Sequence, residues 1–515
     1  MDIVKTIPFR NSVFTLLVLQ SMLLLVVLFS TFDGSVSLLR IPLTVLYLSV
    51  GVGVPFALLL HLGKAKPANF LVYSVGLSFA FIMLIGLLMN FLYPYAGISR
   101  PMTVYPLLFT FLMVSTSLTL AVAFIGLDQI KIRIKDVQGT WNPLPLVLLH
   151  LPLVSIIAIT IVNRTGDRRL LFFLFVLLPL LPLVLLHFRG SEKWYPLALF
   201  TLSLSVLYPH TLWNQSYPQE SWMSAVVHNL GYWKPVLGTG AEQEGILPES
   251  LVYSTYSIIG ETSPSFQLEV INPFFMSLAP VAAFLLYRRF LSSNQAFVIS
   301  LLVIFTHNYF FDRWGFGTRD AIASVFLVLF LLVLFDNNIP DLSRKIVASI
   351  FLVCIIVSHW GVAFIMVFVM IFVILFVLIE QRLNIVQLSV DTRFNLALFI
   401  ILTTTTFSWW AVTGGGGGKV HIIITNFSEL LTGFTTDGPS AGPSARALQT
   451  EVPPSNTALK IMYALLVGLM GVGILQALNR RYQGNQRVVD DEYLCYAIAF
   501  LMILGGTFTP MGAFY

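Results

Sequence analysis

The stretch FLFVLLPLLPLVLLHF, residues 173–188, decides the class of fold, because it is apolar almost throughout and contains no Asp, Glu, Lys or Arg. A second run of the same kind, LLVLQSMLLLVVLFSTF, occupies residues 16–32. Each run approaches the ~20 residues that an α-helix needs to cross the hydrocarbon core of a bilayer. A strand of a membrane β-barrel would instead alternate apolar and polar residues. These runs therefore predict membrane-spanning helices.

The whole chain has the composition of a membrane protein. Of its 515 residues, 57% are hydrophobic and only 10% are charged, whereas a soluble domain has about 25% charged residues. The predicted fold class is an all-α polytopic membrane protein. No nucleic-acid partner is expected from the net charge of +5, because cytoplasmic loops of membrane proteins carry an excess of Lys and Arg. Cys354 and Cys495 both lie in predicted spans, so no disulfide framework is expected.

Hydropathy predicts about fifteen transmembrane helices, within a range of about 13–15. They lie near residues 12–31, 41–62, 69–93, 105–127, 146–163, 169–187, 194–209, 272–287, 295–311, 320–336, 345–358, 361–379, 395–412, 458–478 and 493–508. About six of them form a first region, 1–193. The others form a second region, 194–515, in which spans alternate with polar loops.

The distribution of basic residues predicts a cytoplasmic N-terminus and an external C-terminus. With every span crossing, most of the 29 Lys and Arg residues fall in cytoplasmic segments, as the positive-inside rule requires. The longest external segments are then 210–270 and 413–457. In the first, 219–231 and 247–260 are amphipathic and predict short helices in the membrane interface.

The second external segment opens with GGGGG at 414–418 and is rich in Gly, Pro and Ser. Such a composition is typical of a flexible linker, and a lid over a site is the alternative. The chain stops at Tyr515, just past a span, which leaves open whether a further external part follows.

An amphipathic segment beyond the end of a span, SYPQESWMSAVVHNLGYW at residues 216–233, contains an acid, a histidine and two tryptophans. Ser216 and Gln219 fit a capping box, which places Glu220 in the first turn of a helix. A carboxylate there is stabilised as the anion, so Glu220 suits a base or a cation ligand. Trp222 and Trp233 are expected at headgroup depth. The alternative for Glu220 is a solvated acid on an interfacial helix.

Three other places gather polar residues on the predicted outer face, where a buried ionisable group is a functional candidate. Arg319, in HNYFFDRWGFGTRD, suits a phosphate through its rigid donor fork. The alternatives are an ion pair with Asp320 or Asp312, or snorkelling of the side chain to the membrane interface. His359, in SHWG, is a second candidate, and the alternative is a histidine bonded at a helix end. The third place is GTGAEQEGILPES, which carries Glu242, Glu244 and Glu249.

Motifs of soluble enzymes are absent from the sequence. It has no P-loop, G-x-S-x-G, H-E-x-x-H or dinucleotide fingerprint, and GGGGG lacks the Lys-Ser/Thr that a phosphate loop needs. Because no His/Cys zinc spacing occurs either, no metal-ligating residues are predicted.

The second half of the chain resembles a family of archaeal multi-pass membrane proteins of unassigned function, and through it the GT-C type of membrane glycosyltransferase. The resemblance lies in the order and spacing of several segments rather than in one motif. These segments are ESW…NLGYW (220–233), VINPFFMSLAPVAAFLLYRRF (270–290), GTRDAIASVFLVLFLLVLFD (317–336) and SHW (358–360). LLRIPLTVLYLSVGVGVPFALLL (38–60) resembles the N-terminal region of related proteins.

This resemblance implies that residues 194–515 form a GT-C-like module. It would transfer a sugar from a polyprenyl-phosphate carrier to an acceptor on the outer face of the cell membrane. By topology, Glu220 matches the catalytic carboxylate, and Arg319 and His359 would bind the donor phosphate. The partners implied are membrane lipids and a polyprenyl-phosphate-linked sugar. The cofactor is unknown, with a divalent cation as the candidate. The predicted substrate-binding residues are Trp222, His228, Trp233 and Trp360.

One position departs from the family's pattern, which has an Asp four residues before the Glu, where this chain has Ser216. A non-catalytic GT-C-like scaffold or anchor is therefore an alternative. A transporter or lipid flippase is a second alternative, disfavoured because the polar residues gather at the outer edge rather than at the midplane. The sugar, the acceptor, catalytic competence and the oligomeric state stay open.

Overall fold

The computed structural model describes residues 9–30, 37–125, 144–187, 191–213, 218–233, 245–305, 319–383, 390–413, 468–480 and 491–507. Within these ranges the protein is almost entirely helical and has no strand. The helices in chain order are α1 (Phe9–Ser30), α2 (Ser37–Leu46), α3 (Gly53–Leu59), α4 (Pro67–Leu92), α5 (Val104–Ile125), α6 (Leu144–Thr165), α7 (Arg169–His187), α8 (Tyr195–Trp213), α9 (Pro218–Leu230), α10 (Tyr253–Gly260), α11 (Pro264–Met276), α12 (Leu278–Tyr287), α13 (Ser293–Phe305), α14 (Arg319–Leu334), α15 (Asp341–Ser358), α16 (Trp360–Leu383), α17 (Thr392–Thr413), α18 (468–480) and α19 (Asp491–Thr507).

Each predicted span position holds helix in the described residues. Among them, 8 helical segments are long and apolar enough to cross a membrane by length and composition. The predicted span 41–62 is divided by a π-helical turn at Tyr47–Gly51. The span predicted at 272–287 consists of the end of α11 and the whole of α12. The protein is thus an all-α polytopic membrane protein.

Contacts group the chain into two compact units. The first consists of Met1–Pro235 and Gln243–His359, and the second of Val236–Glu242 and Trp360–Tyr515. The boundary predicted near residue 193 stays a prediction. The residues before it, and most of those between it and His359, belong to the first unit. Within that unit, α6 packs along α8, where the Ser155 hydroxyl donates to the carbonyl of Ser205 at 2.9 Å.

In the second unit, α16 packs against α17 and α19. The Tyr496 hydroxyl donates to Asn395 Oδ1 at 2.8 Å, and Asn395 Nδ2 donates to Glu492 at 2.7 Å. These bonds connect α17 to α19 through side chains that would be costly to bury alone in an apolar bundle.

Helix α4 lies in the centre of the first unit and contacts α3, α12, α14 and α15. Gly53, the first residue of α3, permits a close crossing of α3 and α4, because a Cβ on Gly53 would lie 1.9 Å from the carbonyl oxygen of Ser74 on α4. Small residues permit such close approach of helix backbones in membranes. Helix α7, in contrast, exposes Phe172, Phe173 and Leu183, as a lipid-facing helix does.

One end of the first unit is marked by contacts between segments that are distant in sequence. The backbone amide of Trp233 donates to Asn90 Oδ1 at 2.6 Å, and that of Met102 donates to the carbonyl of Gly231 at 2.7 Å. Asn163 Nδ2 donates to the carbonyl of Leu212 at 3.0 Å in the same manner. We call this the Trp233 end, and the basic-residue distribution predicts that it faces outside.

The opposite end of α4 holds a buried polar cluster, which we call the Asp336 end. Asp336 accepts hydrogen bonds from the Tyr73 hydroxyl at 2.7 Å and Asn69 Nδ2 at 3.0 Å, and Arg289 Nη2 lies 2.9 Å from the same carboxyl oxygen. About 21 residues of α4 separate Asn69 from Asn90, or roughly 32 Å of helix. The two ends are therefore about one hydrocarbon thickness apart.

The two predicted interfacial helices behave differently. Helix α9 has one exposed and one buried face, as predicted for 219–231. The prediction for 247–260 was wrong, because residues 248–260 are buried throughout. The segment looked amphipathic from its hydroxyl groups, but these bond back to their own helix. Ser254 donates to the Ser250 carbonyl at 2.5 Å and Thr255 to the Leu251 carbonyl at 2.7 Å, so their burial is inexpensive.

Candidate functional site

The candidate site begins with α9, which confirms the helix predicted after Ser216. Pro218 opens the helix, where its missing N–H is not needed, so Glu220 lies in the first turn as predicted. Gly231 ends it with φ +75°, a conformation that glycine adopts at little cost. A Cβ on Gly231 would also lie 3.0 Å from Thr103, so the residue permits the close contact with the 100–103 segment. Ser216 lies outside the described residues.

Helix α9 is seated on α10 through two serines. The hydroxyls of Ser224 and Ser254 are 3.3 Å apart, and Ser254 also lies 3.1 Å from the carbonyl of Ser224. Ser224 and Val227 are buried, whereas Trp222 is 49% exposed. The side chain of Glu220 lies outside the described part of the structure.

Beneath α9 lies a buried acid, Glu249, which is 2% exposed. It belongs to a π-helical turn, Pro248–Val252, that packs against α4, α9 and α14. Leu251 of this turn touches the position of Gly86, one helical turn before Asn90 on α4. The turn is therefore about 6 Å inside the Trp233 end. A buried carboxyl at this depth is a functional candidate, because burial of an ionisable group in a membrane protein is costly.

Arg319 is the first residue of α14 and is half-buried. Since Asp336 follows the other end of α14, about 17 residues away, Arg319 lies roughly 25 Å from the Asp336 end and toward the Trp233 end. Its Nη1 atom is enclosed by protein and has no hydrogen-bond partner among the described residues. Of the two alternative ion-pair partners, Asp312 lies outside those residues, and Asp320 is the second residue of α14. A guanidinium is a donor group that suits an anionic ligand.

His359 follows α15 as its C-terminal cap, in extended backbone conformation, and is half-buried. Its amide donates to the carbonyl of Ile355 at 3.1 Å. The neighbouring Ser358 hydroxyl donates to the carbonyl of Cys354 at 2.5 Å, so it is engaged with its own helix. Because α15 begins beside Asp336 and runs antiparallel to α14, it carries His359 toward the Trp233 end.

The predicted substrate-binding residues fall into different environments. His228 is half-buried, and its Nδ1 lies 2.9 Å from the Ser257 hydroxyl. Burial lowers the pKa of His228 below its ordinary value. Trp233 is only 5% exposed, which favours a packing role. Trp360 opens α16 in the second unit and meets Phe364 edge to face, with ring centroids 6.4 Å apart.

The structure therefore brings one set of predicted residues to the Trp233 end of the first unit. This set consists of the helix that carries Glu220, together with Trp222, His228, Trp233, Arg319 and His359. Glu242, Glu244 and the segment 414–457 lie outside the described residues. Among the described residues, no group of three His, Cys, Asp or Glu side chains is arranged to hold a metal ion.

Sequence reasoning noticed Glu249 as one of three acids in a loop but did not select it. The signal that could have selected it is the segment that follows, ILPESLVYSTYSIIG at 246–260, which contains no other charge over fifteen positions. A single acid in such a segment is typical of a buried functional group rather than of a solvated loop.

Comparison with known proteins supports the membrane class. Residues 344–511 match the model of a family described as predicted membrane protein (DUF2206). Neither a curated protein nor a solved structure matches the chain. The predicted resemblance to GT-C glycosyltransferases has no counterpart among these matches. The chain is thus an all-α polytopic membrane protein whose segment 344–511 is similar to the DUF2206 family of predicted membrane proteins.

Proposed function

We propose that this protein is a membrane glycosyltransferase that moves a sugar from a polyprenyl-phosphate carrier to an acceptor at the Trp233 end. The observation that carries the proposal is the placement of Glu249. A buried acid lies in a turn that packs against α9, the helix of Glu220, and against α14, the helix that Arg319 opens. An acid and a cation with an available donor thus occupy the same end of one helical unit.

These residue types suit transfer from a lipid phosphate. A carboxylate within reach of the acceptor hydroxyl removes its proton as the new glycosidic bond forms. The leaving phosphate gains negative charge, which a fixed guanidinium stabilises through two parallel hydrogen bonds. A donor with a polyprenyl tail enters from the bilayer, so a site near one membrane surface is where such chemistry is expected.

Two carboxylates compete for the role of base. The resemblance assigns it to Glu220, in the first turn of α9, and the burial of Glu249 nominates the residue beneath. At position 216 this chain has Ser in place of the Asp of the family pattern, so a third candidate carboxylate is lacking there. The non-catalytic scaffold is the alternative, and separate variants of the two glutamates distinguish the cases.

The proposal is tested with purified protein in nanodiscs and a panel of short-chain polyprenyl-phosphate monosaccharides. We expect release of polyprenyl phosphate when methyl glycosides are offered as acceptors. Replacement of the base, by Glu220→Gln or Glu249→Gln, is expected to lower the rate at least about a hundredfold. Arg319→Gln is expected to weaken binding of polyprenyl phosphate at least about tenfold, since a hydrogen bond between charged groups is lost.

Asp167→Asn is the matched control. Asp167 is a partly exposed acid at the same end, in the turn between α6 and α7, and it pairs with Arg169 at 2.7 Å. Its neutralisation should change neither rate nor binding. A wild-type protein that neither binds polyprenyl phosphate nor consumes any donor contradicts the proposal and favours the scaffold. Equal activity of wild type and both glutamate variants would remove the catalytic role from α9 and the turn beneath it.

A further inference from the structure

The inference concerns His228 on α9, which the resemblance implies to be a substrate-binding residue without saying which group it binds. Its Nδ1 lies 2.9 Å from the hydroxyl oxygen of Ser257 on α10. One turn earlier on each helix, Ser224 meets Ser254. The two helices therefore run in the same direction along this contact, and two successive pairs of side chains hold the imidazole ring in place.

The hydrogen bonds of Ser257 determine which ring nitrogen carries the proton. The Ser257 hydroxyl is also 2.6 Å from the carbonyl oxygen of Thr262. A carbonyl oxygen only accepts, and a serine hydroxyl has one proton. Ser257 must therefore donate to Thr262 and accept from His228. The neutral imidazole then carries its proton on Nδ1 and leaves a lone pair on Nε2.

The ring is expected to be neutral near pH 7. Burial lowers the pKa of His228 below the ordinary histidine value, because a charged ring is less well solvated between two helices. The described charged groups near this corner include the ion pair of Glu261 and Arg40, just beyond α10, and Arg100, whose side chain lies beside Gly231 at the end of α9. Arg40 Nε also donates to the carbonyl of Ile259 at 2.6 Å.

We propose that His228 is a binding residue that presents Nε2 as an oriented hydrogen-bond acceptor for a hydroxyl group of the sugar acceptor. The inference rests on the proposed function and specifies the class of ligand at the α9–α10 corner. A lone pair on Nε2 attracts O–H donors and repels phosphate oxygens, which are themselves acceptors. His228 therefore suits the hydroxyl-bearing acceptor, whereas Arg319 suits the carrier phosphate.

The test is magic-angle-spinning NMR of the full-length protein in bilayers, with ¹⁵N-labelled histidine and the His228 signals assigned by their loss in His228→Gln. We expect protonated Nδ1 and unprotonated Nε2 in the wild type. Ser257→Ala should redistribute the proton between the two nitrogens, because the acceptor of Nδ1–H is gone. Ser254→Ala is the matched control, since Ser254 bonds to Ser224 and Ser250 rather than to His228, and it should leave the tautomer unchanged.

Addition of methyl glycosides should shift the Nε2 signal of the wild type, and inorganic phosphate should not. A wild-type ring protonated on Nε2, or an Nε2 signal unmoved by any methyl glycoside, overturns the inference. These readouts require no turnover. Failure of donor consumption with an intact Nδ1–H tautomer and a glycoside-dependent shift would remove the transferase proposal but leave the hydroxyl-binding site in place.

Discussion

Residues that are both charged and buried are expected to have large effects on the free energy of unfolding of this protein when they are replaced. Asp336 is fully buried and lies 2.9 Å from Arg289, with further hydrogen bonds from Tyr73 and Asn69. Arg289 also donates to the carbonyl of Phe335. The carboxyl is bonded both by side chains of α4 and by Arg289 in the turn after α12, and a buried ion pair is tolerated when such additional hydrogen bonds are present.

We expect Asp336→Asn to destabilise the protein by roughly 3 kcal/mol, because it leaves the guanidinium of Arg289 without its counter-charge in a buried site. The measurement is thermal unfolding in detergent, followed by fluorescence-detected size exclusion. Asp341→Asn is the control, since Asp341 is an exposed acid that pairs with Arg344 and Lys345. Its replacement should cost less than about 1 kcal/mol. Equal effects of the two substitutions would show that the Asp336 cluster is not a stabilising centre.

For single residues, the sequence shows which polar side chains lie beside apolar runs, but it does not show which of them are buried. Glu220, Arg319 and His359 can be singled out as polar groups beside apolar runs, and the structure carries their helices to one end. Burial is a property of the surroundings, however. Glu249 looks like one of several loop acids in the sequence, and only the packing of α4, α9 and α14 around its turn encloses it.

Helices α3 and α4 cross at close range. The backbone of Ser74 approaches Gly53 so closely that no side-chain atom fits between them. Since the obstructing atoms belong to the backbone of α4 rather than to a flexible side chain, the crossing cannot absorb a methyl group without moving a helix.

Gly53→Ala is therefore expected to lower stability by at least about 2 kcal/mol, measured as a fall in the apparent unfolding temperature and in the yield of monodisperse protein. Gly473→Ala in α18 provides the comparison, because no atom of the described residues lies within 4 Å of the added Cβ. That substitution should be neutral or slightly stabilising, since alanine favours a helix over glycine. A tolerated Gly53→Ala would mean that α3 and α4 are less tightly packed than described.

The helix α10 shows why element type was predictable and element position was not. Its alternation of hydroxyl and apolar residues is typical of an interfacial helix. Hydroxyl groups can also be satisfied by carbonyls of the same helix, as Ser254 and Thr255 are. Periodicity cannot separate these two cases, because the partner of the hydroxyl is not visible in the pattern.

For the molecule as a whole, the predicted alternation of loops agrees with the contacts of the first unit. Segments predicted on the outer side meet one another at the Trp233 end, and segments predicted on the inner side meet at the Asp336 end. The orientation of the two ends stays a prediction from basic residues.

Single introduced cysteines test that orientation. Tyr95, 91% exposed just after α4, marks the Trp233 end, and Leu342, 71% exposed at the start of α15, marks the Asp336 end. Tyr95→Cys should react with a membrane-impermeant maleimide in intact cells, and Leu342→Cys only after permeabilisation. The native Cys354 and Cys495 are buried, so the background labelling should be low. The reverse pattern would invert the topology, and labelling of both positions in intact cells would contradict the separation of the two ends.

The sequence by itself determined the class of this protein and the place of nearly every helix, because the need to bury or expose long apolar runs acts locally on each segment. Tertiary structure alone decided which segments meet. Asp336 and Arg289, which form an ion pair, are 47 positions apart in the sequence, and His228 and Ser257, which form a hydrogen bond, are 29 positions apart. Glu249 is buried by the helices that surround its turn rather than by its neighbours in the sequence. Those contacts depend on helix packing and on hydrogen-bond partners supplied by other helices, which hydropathy does not encode.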